Sequence, residues 1–173
     1  MTGPLVVLVG PPGAGKTTIG KRLARALGVD VRDTDADVAA AAGKTIAEIF
    51  YDDGEEAFRR LEAAAVANAL AEHKGVLSLG GGAVLDPQTR AMLGDVRVVF
   101  LSVGLGDAAR RVGLNQNRPV LALNPRATLA ALLEQRLPLY REVADVEIAT
   151  DNRKPAAIVE ELLRALGRAE RVQ

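Results

Sequence analysis

The stretch Leu5-Val-Val-Leu-Val-Gly-Pro-Pro-Gly-Ala-Gly-Lys-Thr17 decides the fold. Five apolar residues, rich in β-branched valine, run into a glycine, which reads as a strand buried on both faces. Thr17 to Leu27 then carries Ile19, Leu23 and Leu27 at helical spacing, and Gly28 stops it. A strand, a turn and a helix within the first 28 residues announce an α/β protein.

The same alternation continues outward. Val29 to Arg32 fits a short second strand, and Val38 to Ala42 and Thr45 to Tyr51 fit short helices parted by Gly43. Asp53 with Glu56 resembles a capping box opening a helix that turns Phe58, Leu61 and Ala65 inward. Val76 to Leu79 and Val96 to Val103 are buried strands, and residues 104–112 read as helical. Residues 113–125, with their asparagines, prolines and glycine, read as a mobile loop. Ala127 to Leu137 is helical, Val146 to Thr150 is a fifth strand, and Pro155 opens a last helix, leaving 168–173 as a loose tail. The expected architecture is a single α/β domain over residues 1–173, with a five-stranded parallel sheet flanked by helices.

Composition sets outer bounds. Of 173 residues, 49% are apolar and 25% charged, ample for a buried core, so intrinsic disorder is not expected. No apolar run approaches the roughly 20 residues that cross a bilayer. The start of the chain lacks the features of a signal peptide, so the cytoplasm is the expected compartment. Without cysteine there are no disulfides or thiolate sites, and His73 alone makes neither a histidine metal centre nor a Ser-His-Asp triad. Twenty-two bases balance 22 acids, which gives no general grip on nucleic acid. The balance is uneven along the chain: residues 28–62 hold ten acids against four bases, and 107–141 hold six arginines against two acids. Solvated helix faces account for such charges, and so does an anionic ligand at the arginine-rich segment; the charges alone do not choose.

Gly10 to Thr17 satisfies G-x-x-x-x-G-K-[ST] in full and lies between a strand and a helix, where its mechanism requires it. Its glycines let backbone N–H groups turn inward around phosphate oxygens, and the helix N-terminus adds partial positive charge. Gly13, Ala14, Gly15, Lys16, Thr17 and Thr18 are therefore the expected nucleotide-phosphate contacts. Lys16 would reach the β- and γ-phosphates, and the Thr17 hydroxyl would ligate Mg²⁺. No Asn-Lys-x-Asp or D-x-x-G marks a GTPase, and Leu77-Ser-Leu-Gly-Gly-Gly82 only echoes a transporter ATPase signature. No strand ends as a simple Walker B element does. A compact small-molecule kinase remains.

Several further motifs then follow in order: Asp33-Thr-Asp35, Phe58-Arg59-Arg60-x-Glu62, Ser78-Leu-Gly-Gly-Gly82, Asn115-x-x-Arg118-Pro119-Val-Leu121 and Arg136-x-x-x-Tyr140-Arg141. Together with the P-loop they resemble the shikimate kinases, almost to the C-terminus. The resemblance implies transfer of the γ-phosphoryl group of ATP to the 3-hydroxyl of shikimate, a step of aromatic amino-acid biosynthesis. ATP and shikimate would be the partners of a monomer, with Mg²⁺ and with neither nucleic acid nor membrane involved. It also implies residues 34–62 as the acceptor-binding part, 113–125 as the lid, and Asp33 near the metal.

The chemistry of each residue supports a role beside that likeness. Asp35, just past a strand's C-terminal end, suits a carboxylate that orients or deprotonates a hydroxyl acceptor; a helix cap by Asp33 or Asp35 is the lesser alternative. Arg59 and Arg136 fall on inward stripes, where a cation needs an anion; by resemblance they bind the shikimate carboxylate. Glu62, three residues after Arg59, would steady it. Gly80, Gly81 and Gly82 allow backbone to approach the substrate and donate N–H groups. Arg118 is the expected lid arginine on the γ-phosphoryl oxygens, and by analogy Arg111, Arg153 and Pro155 frame adenine. Phe50 and Phe58 either wall the acceptor site or only fill core. The rival readings are a gluconate-type or nucleoside-monophosphate kinase, and a non-catalytic nucleotide-dependent switch.

Overall fold

The computed structural model describes residues 2–112 and 125–170. Five strands, β1 (Val6–Val9), β2 (Val31–Asp33), β3 (Val76–Ser78), β4 (Val98–Ser102) and β5 (Val146–Ala149), form one sheet in the order β2-β3-β1-β4-β5. Every pairing is parallel. The helices are α1 (Lys16–Leu27), α2 (Thr34–Ala42), α3 (Ile46–Glu72), α4 (Pro87–Leu93), α5 (Leu105–Val112), α6 (Pro125–Val143) and α7 (Pro155–Glu170).

β1 is central and fully buried, and its alternation divides the core in two. Val6 and Leu8 pack with α1, α5 and α7 through Ile19, Leu23, Ala108 and Leu162. Val7 and Val9 face the other layer, with Val66 of α3, Leu93 of α4 and Tyr140 of α6. A smaller cluster of Val38, Ile49 and Phe58 holds α2 to α3. Phe50 and Phe58, expected as walls or as core, touch each other at a ring-centroid distance of 4.7 Å within it.

Register places the chemistry on one edge. Asp33 pairs with Ser78, and Ser78 with Leu8, so the ends of β2, β3 and β1 lie side by side. With strands roughly 4.8 Å apart, Asp33 stands about 10 Å across the sheet from the start of the P-loop. That edge is the carboxyl end of a parallel sheet, where α/β folds place their ligands.

Several element boundaries differ from the sequence expectation, each for a local reason. α2 starts at Thr34 rather than Val38, because Asp33 caps it by accepting the Asp35 N–H at 2.8 Å. The two helical pieces on either side of Gly54 run nearly continuously and break only there, at φ 88° and ψ 169°. Unforeseen were the turn Ala83–Leu85 and α4, although Asp86-Pro87 is a cap followed by proline: Asp86 accepts from Gln88 N–H and the Thr89 hydroxyl. α6 begins at Pro125, inside the expected loop, and passes through Pro138, whose ring is exposed, on to Val143. α7 runs to Glu170, so residues 168–170 belong to a helix and not to a tail; Arg97, just before β4, donates to the Leu166 carbonyl of α7. Among the described residues, no helix is long and apolar enough to cross a membrane.

Candidate active site

The P-loop joins β1 to α1. Gly13 has φ 82° and Gly15 has φ 90°, conformations that side chains resist. A Cβ on Gly13 would come within 2.9 Å of the Ala108 carbonyl, so α5 packs directly on the loop. Gly15 is the N-cap of α1 and supplies no side chain, which leaves the helix end to backbone donors. Thr17 and Thr18 are exposed at that end, while Ala14 is buried beneath it and offers only its backbone. Lys16 Nζ donates to the carbonyls of Gly10 (2.6 Å) and Pro11 (3.1 Å), so its ammonium is folded back along the cradle.

A cleft of about 340 Å³ opens over this loop and is also lined by Asp33, Asp35, Ser78, Gly81 and Arg111. Arg111 is a brace as well as a wall. It donates to the Gly13 carbonyl (3.2 Å), to the Thr150 hydroxyl (2.9 Å) and to the Thr150 carbonyl (2.6 Å). Asp107, held below its ordinary pKa first by the Asn152 N–H and then by Arg110 and Arg111, backs it at 3.5 Å. Thr150 was missed from sequence; it looked like the end of a strand. Arg153 and Pro155 stand at the start of α7 and do not line the cleft. Arg153 donates to the Ala149 carbonyl (2.9 Å) and pairs with Glu161 (2.5 Å).

The three glycines after β3 connect the cleft to a second set of charges. The Gly80 N–H is committed to the buried Thr34 hydroxyl at 3.1 Å, which removes it from the N–H groups expected to meet a ligand. What Gly80 provides is space: a Cβ there would overlap the Asp35 carboxylate and lie 2.9 Å from Glu62 Oε2. A Cβ on Gly82 would overlap the Arg59 guanidinium, and one on Gly81 would lie 3.1 Å from Pro12 of the P-loop. Neither Gly80 nor Gly82 has a positive φ, so close approach alone demands glycine there.

Arg59 is held by Glu62 at 2.7 Å and by Glu55 at 3.6 Å, with its guanidinium 5.2 Å over the Phe58 ring. Glu62 is 3% exposed. Burial pushes its carboxyl above the ordinary range; Arg59 and Arg136 oppose the rise, and Asp35 adds to it. Arg136 is 5% exposed and hydrogen-bonds the Tyr140 hydroxyl, which in turn donates to the Gly81 carbonyl at 2.5 Å. From sequence, Tyr140 belongs to the Arg136-x-x-x-Tyr140-Arg141 motif, with no task for its hydroxyl; a phenol one helical turn after an inward arginine was the available signal. Arg59 and Arg136 share a further property. The Nε–H of each is buried with no acceptor among the described residues. Buried donors are nearly always paired, so these two mark a place where an acceptor from outside the chain belongs.

Thus the sequence-selected Asp35, Arg59, Arg136 and Gly80 to Gly82 gather beside the phosphate cradle. Arg118 lies outside the described residues. Among these, no group of three or more His, Cys, Asp or Glu side chains could hold a metal. Side-chain oxygens line the cleft from Thr17, Thr18, Asp33, Asp35 and Ser78; of these the Thr17 hydroxyl and the Asp33 carboxylate, whose Oδ1 caps α2, are the metal donors expected from sequence. Such a sparse, hard-oxygen set fits Mg²⁺, which keeps several waters and takes phosphate oxygens for the rest.

Known proteins place this arrangement. The family model described as shikimate kinase matches residues 12–167. The chain is 61% identical over 172 residues to the shikimate kinase of Saccharopolyspora erythraea, covering 95% of this chain and 98% of that one. Its fold matches the structure of shikimate kinase from Acinetobacter baumannii in complex with shikimate with a TM-score of 0.92 and 34% identity, over 98% of this chain and 95% of the other. A gluconokinase from Sinorhizobium meliloti has a TM-score of 0.59 at 20% identity, over 97% and 94% of the two chains, which is a likeness of fold alone. A match that begins in the P-loop and ends in the last helix, at such identity along nearly the whole chain, makes this protein a member of the shikimate kinase family.

Proposed function

We propose that this chain transfers the γ-phosphoryl group of ATP to the 3-hydroxyl of shikimate, giving ADP and shikimate 3-phosphate. The observation that carries the reading is the pair of buried Nε–H groups on Arg59 and Arg136, left without acceptors beside a phosphate-binding cleft. A carboxylate offers planar oxygens to both guanidiniums, and an acceptor held there by its carboxylate would present hydroxyls toward Asp35.

In this reading the backbone from Gly13 to Thr18 binds the ATP phosphates at the N-terminus of α1. Lys16 leaves the carbonyls of Gly10 and Pro11 to reach the β- and γ-phosphoryl oxygens, and its ammonium offsets charge that develops there. Asp35 accepts the proton of the attacking hydroxyl or orients it, and Asp33 holds Asp35 in place through the cap on α2. Arg118 is assigned from sequence to the γ-phosphoryl oxygens. Arg111 positions the P-loop and walls the nucleotide side of the cleft; Arg153 and Pro155 are assigned to the adenine end on sequence grounds. Thr17 and Asp33 are the residues that would hold Mg²⁺ with the nucleotide, and the ion would supply neutralising charge on the phosphates.

The test is ADP release from Mg-ATP with shikimate, gluconate and nucleoside monophosphates offered separately. Turnover with shikimate in clear preference is the expected result. Preference for gluconate or a nucleotide would overturn the acceptor, and no turnover with any of them in a folded, ATP-binding protein would favour a switch over an enzyme.

A further inference from the structure

Tyr140 is 1% exposed, and its ring stacks on Phe100 of β4 with centroids 4.9 Å apart and planes 23° apart. The core therefore fixes where the phenol oxygen sits. That oxygen donates its proton to the Gly81 carbonyl at 2.5 Å and accepts from the Arg136 guanidinium, one helical turn earlier on α6. A phenol has a single proton, so committing it to Gly81 turns the oxygen lone pairs toward Arg136 and gives both bonds a fixed polarity. Burial pushes the phenol pKa up to about 12, so the proton stays in place at any working pH.

The consequence falls on Arg136. A long guanidinium side chain has many rotamers, and fixing one in a bidentate orientation needs support along the chain. Arg136 is buried, yet its Nε–H lacks an acceptor among the described residues. No ion pair of Arg136 occurs at contact distance among the described residues, in contrast to Arg59, which Glu62 and Glu55 hold. The neutral Tyr140 hydroxyl thus steadies Arg136 without offering it a competing anion. Gly81, the other end of the relay, lies against Pro12 of the P-loop.

We propose that Tyr140 is a positioning residue for acceptor binding: its hydroxyl ties the Arg136 guanidinium to the Gly81 backbone, aiming the cation at an acceptor carboxylate and fixing the glycine turn between the two substrates. The inference rests on the reading of Arg136 as a carboxylate partner given above.

Tyr140→Phe keeps the ring and its stack on Phe100 while removing both hydrogen bonds. Calorimetric titration of the whole protein should show shikimate binding weakened roughly tenfold, the order set by loss of a hydrogen bond to a charged group. ATP binding should be unchanged, and the shikimate KM should rise far more than kcat falls. Shikimate methyl ester, whose neutral carboxyl makes little use of Arg136, should bind wild type and variant alike. p-Aminophenylalanine at position 140 restores the donor to Gly81, but its ring-conjugated nitrogen accepts poorly from Arg136, so it should fold and yet recover little of the shikimate affinity. Full recovery would overturn the tie to Arg136, and the variant also stands in should the phenylalanine variant not fold. Unchanged shikimate affinity in Tyr140→Phe, or parallel losses for shikimate, its ester and ATP, would overturn the proposal. Arg136→Lys run beside it separates the two readings. If that change leaves shikimate binding untouched, the assignment of Arg136 fails and the proposal falls with it; if Arg136→Lys weakens binding and Tyr140→Phe does not, only the positioning role fails.

Discussion

The Arg59 guanidinium occupies the space into which a side chain at Gly82 would grow. Gly82 has φ −100°, which any residue adopts, so alanine there is not strained by its backbone. Its methyl group meets only the far end of a long side chain. Gly82→Ala should therefore fold with a thermal midpoint close to wild type, while the displaced Arg59 raises the shikimate KM roughly tenfold, as expected for a misaligned hydrogen bond to charge. Gly13→Ala is the contrast: φ 82° and the Ala108 carbonyl both oppose it, so it should lower the thermal midpoint as well. Steady-state kinetics and thermal melts on both variants check this. A Gly82→Ala protein with normal shikimate kinetics would mean that Arg59 is free to sit elsewhere without loss.

Lys16→Ala removes the ammonium now folded onto the carbonyls of Gly10 and Pro11. The Lys16 side chain lines an open cleft and its loss removes no apolar packing from the core, so the fold should persist. Phosphoryl transfer should fall by at least about 10²–10³-fold, the scale for losing one charge-stabilising donor. Circular dichroism with single-turnover kinetics separates these effects; near-normal turnover would sink the P-loop kinase reading.

Arg59→Lys and Arg136→Lys each keep the charge and lose the planar fork. Either should weaken shikimate binding by roughly tenfold or more while leaving ATP binding within error. Calorimetry with each ligand in turn provides the check. Equal losses for both ligands would assign the arginines to structure or to the nucleotide side.

Much of this was legible in the sequence because it rests on local rules. β1 and the P-loop declared themselves through a β-branched run and fixed glycine spacing, Asp33 and Asp35 through the motif that follows the second strand, and Arg59 and Arg136 through charges on otherwise inward positions. What was not legible depends on contacts across the chain. Thr34 meets Gly80 from 46 residues away, and Thr150 meets Arg111 from 39. The glycine triad was read as backbone exposed to ligand, whereas two of its three glycines make room for Asp35 and Arg59. Pro138 looked like a helix end, but its ring points outward from α6 and the helix continues to Val143. Asp33 illustrates how two readings can merge: it caps α2, and that cap is what sets the backbone at Asp35.

Asp35→Asn preserves shape and loses the charge that receives the hydroxyl proton. It should lower kcat strongly, with shikimate still bound and ATP affinity little changed. Arg118→Ala should also lower kcat, by roughly 10³-fold or more if it acts as a transition-state arginine. Residues acting on one transferring group are not additive, so the double variant should lose less than the product of the single losses. Single-turnover phosphorylation of shikimate reads the chemical step directly. A catalytically normal Asp35→Asn protein would remove the proposed base.

Glu62 gives a prediction about pH. Its carboxyl is raised above the ordinary value of 4.5 chiefly by burial, with Asp35 adding to the rise and Arg59 and Arg136 opposing it. Between 4.5 and the raised value, the folded chain keeps a proton that the unfolded chain has lost. The folded state then binds more protons, so the Glu62 contribution to stability declines as pH rises through that window. Below the window both states are protonated and the penalty vanishes; above it the penalty is complete. Glu62→Gln cannot titrate. It loses the charge that faces Arg59, which shifts its stability by a nearly constant amount, but it should lack this slope. The thermal midpoint of wild type minus that of Glu62→Gln should therefore fall as pH increases from about 4 toward neutrality, where ordinary carboxylates finish titrating. A difference that stays flat, or rises with pH, would mean that the Arg59 ion pair outweighs burial and that Glu62 is an ordinary or depressed carboxylate in the folded protein.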